Sequence, residues 1–197
     1  MNKKAHFNPK SLTWILSLVV MIIVCVGVIF GSKAIYDFAN KKYNEPVDID
    51  FTIASTSDLD ISSMNADKYS VTSVQEAFDS SNNLVAYIVE GTTIGYNQSS
   101  PIEMTTIISA DGTLVCGIDI LHQEETEYLG VRIEEASFKD QFTGRYLPVV
   151  ASGSTEKGSV IDTLANATIS SQAVIDGVNN AQSFVSENLV TGETAAQ

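Results

Sequence analysis

Apolar positions follow three different patterns along this chain. The first is an unbroken run: the 22 residues of 11–32, SLTWILSLVVMIIVCVGVIFGS, contain no charged side chain. As a helix they would be about 33 Å long at about 1.5 Å per residue, enough to cross a hydrocarbon core of about 30 Å. The run therefore predicts a transmembrane helix. A cleaved signal peptide has a shorter apolar stretch followed by small residues, whereas this run leaves through Phe30-Gly31-Ser32-Lys33. Beyond it Ala34, Ile35, Phe38 and Ala39 continue at helical spacing, which carries a helix to about Tyr43 before Pro46 stops it.

The second pattern suits strands. Residues 84–90 (LVAYIVE), 102–109 (IEMTTIIS) and 114–121 (LVCGIDIL) are short runs rich in β-branched residues. Asp111-Gly112 between the last two is a hairpin turn signal, so those two should be antiparallel neighbours. The third pattern has a helical period: Val174, Val178, Ala181 and Val185 fall at offsets 0, 4, 7 and 11 within a predicted helix over 171–187, with Ser170 or Ser171 as its N-cap. Two shorter helices are expected at 74–78 and at 134–142, the latter ended by Gly144. Residues 47–73, rich in Ser, Asp and Thr, suit a linker, and 151–159 (ASGSTEKGS) a flexible stretch.

Strands in a run followed by helices predict an α+β fold: one N-terminal transmembrane helix, then a single domain with a mainly antiparallel sheet and flanking helices. The expected divisions are 1–10, the membrane span 11–32, a helix extension and linker 33–73, the domain 74–190 and a polar tail 191–197. Charge then adds direction. The chain has 24 acidic and 11 basic residues, a net −13, yet Lys3, Lys4 and Lys10 precede the span with no acid among them. Lys33, Lys41 and Lys42 follow the span, so the free amino terminus decides the positive-inside balance. The N-terminus is expected in the cytoplasm and the acidic domain outside it. So acidic a surface repels phosphate backbones, and no nucleic-acid partner is expected. Cys25 and Cys116 lie too far apart for a disulfide framework; Cys25 reads as a small apolar side chain in the span.

Chemistry is concentrated at the entrance to the last helix. Asp162-Thr163-Leu164-Ala165-Asn166-Ala167-Thr168-Ile169-Ser170-Ser171 brings small and hydroxyl side chains to a helix N-terminus. Free N–H groups and the positive end of the dipole suit an anion there, phosphate above all, although plain capping is the commoner use of such residues. A second cluster, 122–130 (HQEETEYLG), follows the third strand. Its His122, Glu124, Glu125 and Glu127 could suggest a metal, but no second histidine is near, and no metal is assigned. Gly95-Tyr96, followed by Pro101-Ile102, forms a third.

Residues 162–181, DTLANATISSQAVIDGVNNA, resemble the flavinylation region of the FMN-binding domains in two related proteins: the G subunit of the Rnf ion-translocating complex and the C subunit of the sodium-translocating NADH:quinone oxidoreductase. The family pattern is D-x-x-[ST]-G-A-T. Asp162, Ala167 and Thr168 match it, while Ala165 stands where Ser or Thr is usual and Asn166 where Gly is usual. Asn is the non-glycine residue most tolerant of positive φ, so the backbone can survive the second change. Residues 122–130 are similar to the family's H-x-x-E-T-P-G-L-G, with Glu125, Thr126, Leu129 and Gly130 in register and Glu127-Tyr128 replacing Pro-Gly. Gly95-Tyr96, Gly112, Ile118, Leu121, Phe138, Gln141, Phe142 and Gly144 extend the likeness.

The resemblance implies FMN joined to Thr168 by a phosphoester bond made by a flavin transferase, with Asp162, Ala165, Asn166, Ala167, Ser170, Glu125, Thr126, Leu129 and Gly130 around it. It also implies a membrane-anchored electron carrier, the G subunit of an Rnf-type complex, with other membrane subunits as partners. A stand-alone anchored flavoprotein and a flavin-free binding module are the alternatives. A hydrolase triad has no support, since His6 and His122 are the only histidines and no G-x-S-x-G elbow occurs.

Overall fold

The computed structural model describes residues 41–190 and, before them, Met21 and Val28. The chain divides into two compact units, 1–41 and 42–197. In the first, Met21 and Val28 are helical and exposed; the rest of the expected 11–32 span, with Cys25, lies outside the described residues. Among the described residues no helix is long and apolar enough to cross a membrane.

A short helix, α1 (Lys41–Asn44), leads into the second unit. Its scaffold is a six-stranded antiparallel meander whose spatial order follows the sequence: β1 (Ser55–Asp58), β2 (Val71–Phe78), β3 (Leu84–Thr93), β4 (Ile102–Ser109), β5 (Leu114–His122) and β6 (Arg145–Tyr146). A 3-10 turn over Ala66–Tyr69 precedes β2. The β4–β5 hairpin closes as its turn signal indicates. Gly112 takes φ +71°, and Asp111 Oδ1 accepts the Thr113 N–H (3.0 Å) and the Ser109 hydroxyl (2.5 Å).

Two sequence expectations are corrected here. Residues 74–78 form part of β2 and not a helix, because Val74, Gln75, Glu76 and Ala77 belong to a strand that pairs on both sides, with β1 and with β3. Residues 47–73 are not all linker, since β1 and the 3-10 turn fall within them and Val47 N–H donates to Gly144 O (2.8 Å). The expected short helix near 134–142 is α2 (Ala136–Lys139), continued by a 3-10 turn over Asp140–Phe142. The 151–159 stretch is bracketed by a small parallel pair, β7 (Val149–Ala151) and β8 (Ser159–Ile161). Asn179 holds β7 by mimicking a strand neighbour: its Oδ1 accepts Val149 N–H (3.0 Å) and its Nδ2 donates to Val149 O (2.8 Å).

The long helix α3 (Thr168–Asn188) lies on the sheet. Its stripe of Val174, Val178, Ala181 and Val185 is buried as the period requires, together with Ile175 and Phe184. Ile102, Met104 and Ile108, on alternate positions of β4, meet it in one core with Val74, Val89, Phe138 and Phe142. Gly177 permits the close approach, since a Cβ there would lie 2.6 Å from Met104 Sδ. The start of α3 is thereby fixed at one end of the sheet, beside the connections that leave β3 and β5.

Candidate functional site

The helix begins earlier than its apolar stripe suggests, and its cap is Ala167, which supplies no side-chain hydrogen bond. Ser170 and Ser171 are therefore not the N-cap. They lie inside the first turn with their hydroxyls turned inward: Ser171 Oγ accepts Leu164 N–H (3.0 Å) and donates to Ala167 O (2.9 Å), and Ser170 Oγ donates to Glu125 Oε2. Ser171 N–H is the donor to Ala167 O (2.9 Å), so the amides of Thr168, Ile169 and Ser170 precede the first intrahelical bond. No acidic residue occupies the first turn. Those amides are left without a partner inside the helix.

Approach to the helix is shaped by Asn166, whose φ is +63°. This is the left-handed conformation that glycine would take freely, and asparagine adopts it with little strain. Upstream, Gln141 clasps the backbone of Asp162, accepting its N–H at Oε1 (2.8 Å) and donating from Nε2 to its O (3.3 Å). The Asp162 side chain is exposed.

Glu125 joins the three clusters. Only 5% exposed, its carboxylate accepts Tyr96 N–H at Oε2 (3.1 Å), Asn97 N–H at Oε1 (3.1 Å) and the Ser170 hydroxyl. Its own N–H donates to Gln123 Oε1 (2.6 Å). Two glycines make room for it: a Cβ on Gly95 would fall 2.3 Å from Glu125 Oε1, and one on Gly130 would fall 2.7 Å from Glu125 Cβ and 2.9 Å from Ser170 Oγ. The carboxylate lies behind the wall of the site.

In front of it lies a cavity of about 430 Å³ lined by Tyr96, Thr126, Leu129, Gly130, and residues 166–170. This is within the usual range for small-molecule sites, about 300–1,000 Å³. Of the ten residues singled out in the sequence, Thr168, Asn166, Ala167, Ser170, Thr126, Leu129 and Gly130 line it. Glu125 supports it from behind, while Asp162 and Ala165 are exposed and form no part of its lining. Two further walls, Tyr96 of the third cluster and Ile169 of the first, were not among those ten. Tyr96 is 64% and Ile169 56% exposed, large apolar surfaces on the rim. Ile169 carried a readable signal, because it falls off the buried stripe of its own helix. One end of the cavity thus offers amides and the Thr168 hydroxyl to an anion, and its sides offer Tyr96, Leu129 and Ile169 to a flat apolar body. Glu124, Glu127 and His122 lie exposed outside it, and among the described residues no three His, Cys, Asp or Glu side chains gather as a metal site.

Residues 95–183 match the FMN-binding domain family. The matched span runs from the Gly95 turn through β4, β5, the 122–130 loop and most of α3, and so contains every wall of the cavity. It is the family that the sequence resembles. The chain is 37% identical over 108 residues to the G subunit of the ion-translocating oxidoreductase complex of Methanosarcina acetivorans, covering 55% of each chain. It is 39% identical over 105 residues to the G subunit of the Na+-translocating ferredoxin:NAD+ oxidoreductase complex of Acetobacterium woodii, covering 51% of this chain and 49% of that one. These matches span about half the length of those relatives. Among solved structures, the C subunit of the Na+-translocating NADH-quinone reductase of Parabacteroides distasonis superposes with a TM-score of 0.54 at 21% identity, over 71% of this chain and 79% of that one. That likeness bears on the fold, a mixed α/β domain with an antiparallel sheet and few helices.

Flavin mononucleotide suits the donor set described above. A phosphate fits the amides and hydroxyl at the start of α3, and a ring system fits between Tyr96, Leu129 and Ile169.

Proposed function

We propose that this protein is a membrane-anchored electron carrier that holds FMN covalently on Thr168, as the G subunit of an Rnf-type ion-translocating electron transport complex. The observation that carries the reading is the exposed Thr168 at the first position of an uncapped helix, opening into a cavity of about 430 Å³ with apolar walls. The FMN-binding family match over residues 95–183 and the two G-subunit relatives support it. When bound, the flavin supplies reversible electron transfer, and the protein contributes position, solvent exclusion and electrostatics.

In this reading Thr168 Oγ1 forms a bond to the flavin's phosphorus. A flavin transferase catalyses the step from an activated flavin nucleotide whose phosphoanhydride bond breaks. The other nucleotide leaves as its monophosphate, and the threonine proton passes to the transferase or to water. The amides of Ile169 and Ser170 would hold the phosphate, and Tyr96, Leu129 and Ile169 would orient the ring.

Both departures from the family pattern are compatible with this reading. Asn166 has the left-handed backbone that its glycine would have, and Ala165 lies outside the cavity lining, so its missing hydroxyl removes nothing from the wall. The uncharged 11–32 run is read as the anchor, with residues 1–10 in the cytoplasm and the unit from Lys42 onward outside it, facing the other membrane subunits of the complex. A tether of this kind raises the carrier's effective concentration at its membrane partners. The test is co-expression with a flavin transferase active on a control, followed by a denaturing gel. Flavin fluorescence on the wild-type band and its loss in Thr168→Ala are expected; a dark wild-type band would overturn covalent attachment.

A further inference from the structure

The FMN reading leaves Glu125 outside the cavity lining, yet its side chain reaches both the 95–97 turn and the first turn of α3. It takes two backbone N–H groups from the 95–97 turn and a hydroxyl from the first turn of α3, while Gln123 fixes its own amide. All three donors point at it, the pattern that an ionised carboxylate satisfies. No ion pair joins it to a cation among the described residues. The start of α3 provides the balancing partial positive charge.

The consequences are geometric and electrostatic. Tyr96 and Ser170 both line the cavity, and both are held by the same oxygen, Glu125 Oε2. Moving that oxygen therefore moves two walls together. Because Ser170 lies between the carboxylate and the cavity, a buried negative charge is one hydroxyl away from the ligand space. In a site of low dielectric such a charge opposes the addition of further negative charge nearby.

Resting on the FMN reading, we infer that Glu125 is a positioning residue for the flavin: it locks the Tyr96 and Ser170 walls and lowers the flavin's reduction potential. Three variants of the full chain in detergent separate the two effects. Glu125→Gln removes the charge and one acceptor, Ser170→Ala removes one bond and keeps the charge, and Glu125→Asp keeps the charge on a shorter stem. In chain made without transferase, and so free of flavin, Glu125→Gln and Glu125→Asp should speed amide hydrogen exchange at Tyr96 and Asn97 at least tenfold, with β4 unchanged. In flavin-loaded chain, fluorescence anisotropy should fall in all three, whereas the midpoint potential should move positive only in Glu125→Gln.

Wild-type exchange at Tyr96 and Asn97 in a folded Glu125 variant would overturn the inference, with Glu125→Asp carrying the test if Glu125→Gln does not fold. So would a potential that is unmoved in Glu125→Gln or equally raised in Ser170→Ala. Absence of flavin from wild type would overturn the FMN reading and the charge effect with it, while the flavin-free exchange measurement still decides the hold on the walls.

Discussion

Gly130→Ala adds a single methyl group, and the geometry says what it meets. The new Cβ would lie 2.7 Å from Glu125 Cβ, 2.9 Å from Ser170 Oγ and 3.0 Å from Glu125 Oε2. Backbone conformation is not the obstacle, since Gly130 is not among the residues with positive φ. Room must come from Glu125, but Tyr96 N–H, Asn97 N–H and the Ser170 hydroxyl hold its carboxylate. Overpacking of this kind costs about 1–3 kcal/mol. Losing one hydrogen bond to a charged group costs about 1.5–3 kcal/mol. Partial relaxation between the two gives about 2–4 kcal/mol, or a Tm lower by roughly 4–16 °C for a chain of this length. Urea denaturation of wild type, Gly130→Ala, Glu125→Ala and the double variant measures it. In the Glu125→Ala background the Oε2 contact and the hydrogen bonds that hold residue 125 in place are gone, so its remaining Cβ can give way and the cost of Gly130→Ala should fall. A cost below about 0.5 kcal/mol, or an equal cost in both backgrounds, would refute the argument that Gly130 exists to seat Glu125.

Acid should weaken the sheet through identifiable carboxylates. Burial works against the Asp111 carboxylate, but the bonds from the Ser109 hydroxyl and from the Thr113 N–H and hydroxyl outweigh it and hold its pKa below the usual value; the hydrogen bond from Lys139 does the same for Asp119. Groups lowered in the folded state stabilise it above their unfolded pKa, about 3.9, and lose that contribution as pH falls through the folded values. Asp111→Asn should therefore be less stable than wild type at pH 7, with the gap closing below about pH 4; a gap constant from pH 7 to pH 3, measured by urea denaturation, contradicts this. Cys116 is pushed up to about 11, first by burial and then by the nearby Asp111 charge. Since only the thiolate reacts, a Cys25→Ser chain should resist iodoacetamide at pH 8 when folded and react quickly in urea, and equal rates would show the thiol to be open.

What could be read in the sequence depended on how local the signal was. The β4–β5 hairpin was legible because alternating apolar residues and Asp111-Gly112 specify it within a few positions. So was α3, through Val174, Val178, Ala181 and Val185. By contrast, β1 is Ser-Thr-Ser-Asp with all four side chains exposed, so no apolar alternation marks it; its backbone pairing with β2 makes it a strand. The serines at the helix start look like caps to any local reading. Ser170 is instead committed to Glu125, 45 residues away, and only the fold brings the two together. The same holds for the cavity. The motifs contained residues of every wall, Tyr96 included, but not the fact that the 95–97 turn, the 122–130 loop and the start of α3 meet around one cavity. Glu125 was legible as part of the site, but its place behind the wall depends on the spaces left at Gly95 and Gly130.

Attachment of flavin at Thr168 is the central claim, and peptide mass spectrometry tests it most directly. Residues 158–197 contain no Lys or Arg, so a single tryptic peptide beginning at Gly158 holds Thr163, Thr168, Ser170 and Ser171 together. In chain matured with a flavin transferase, this peptide should carry the mass of one FMN less one water, with fragmentation placing it on Thr168. An unmodified peptide, or a flavin located on Thr163, Ser170 or Ser171, would contradict the account.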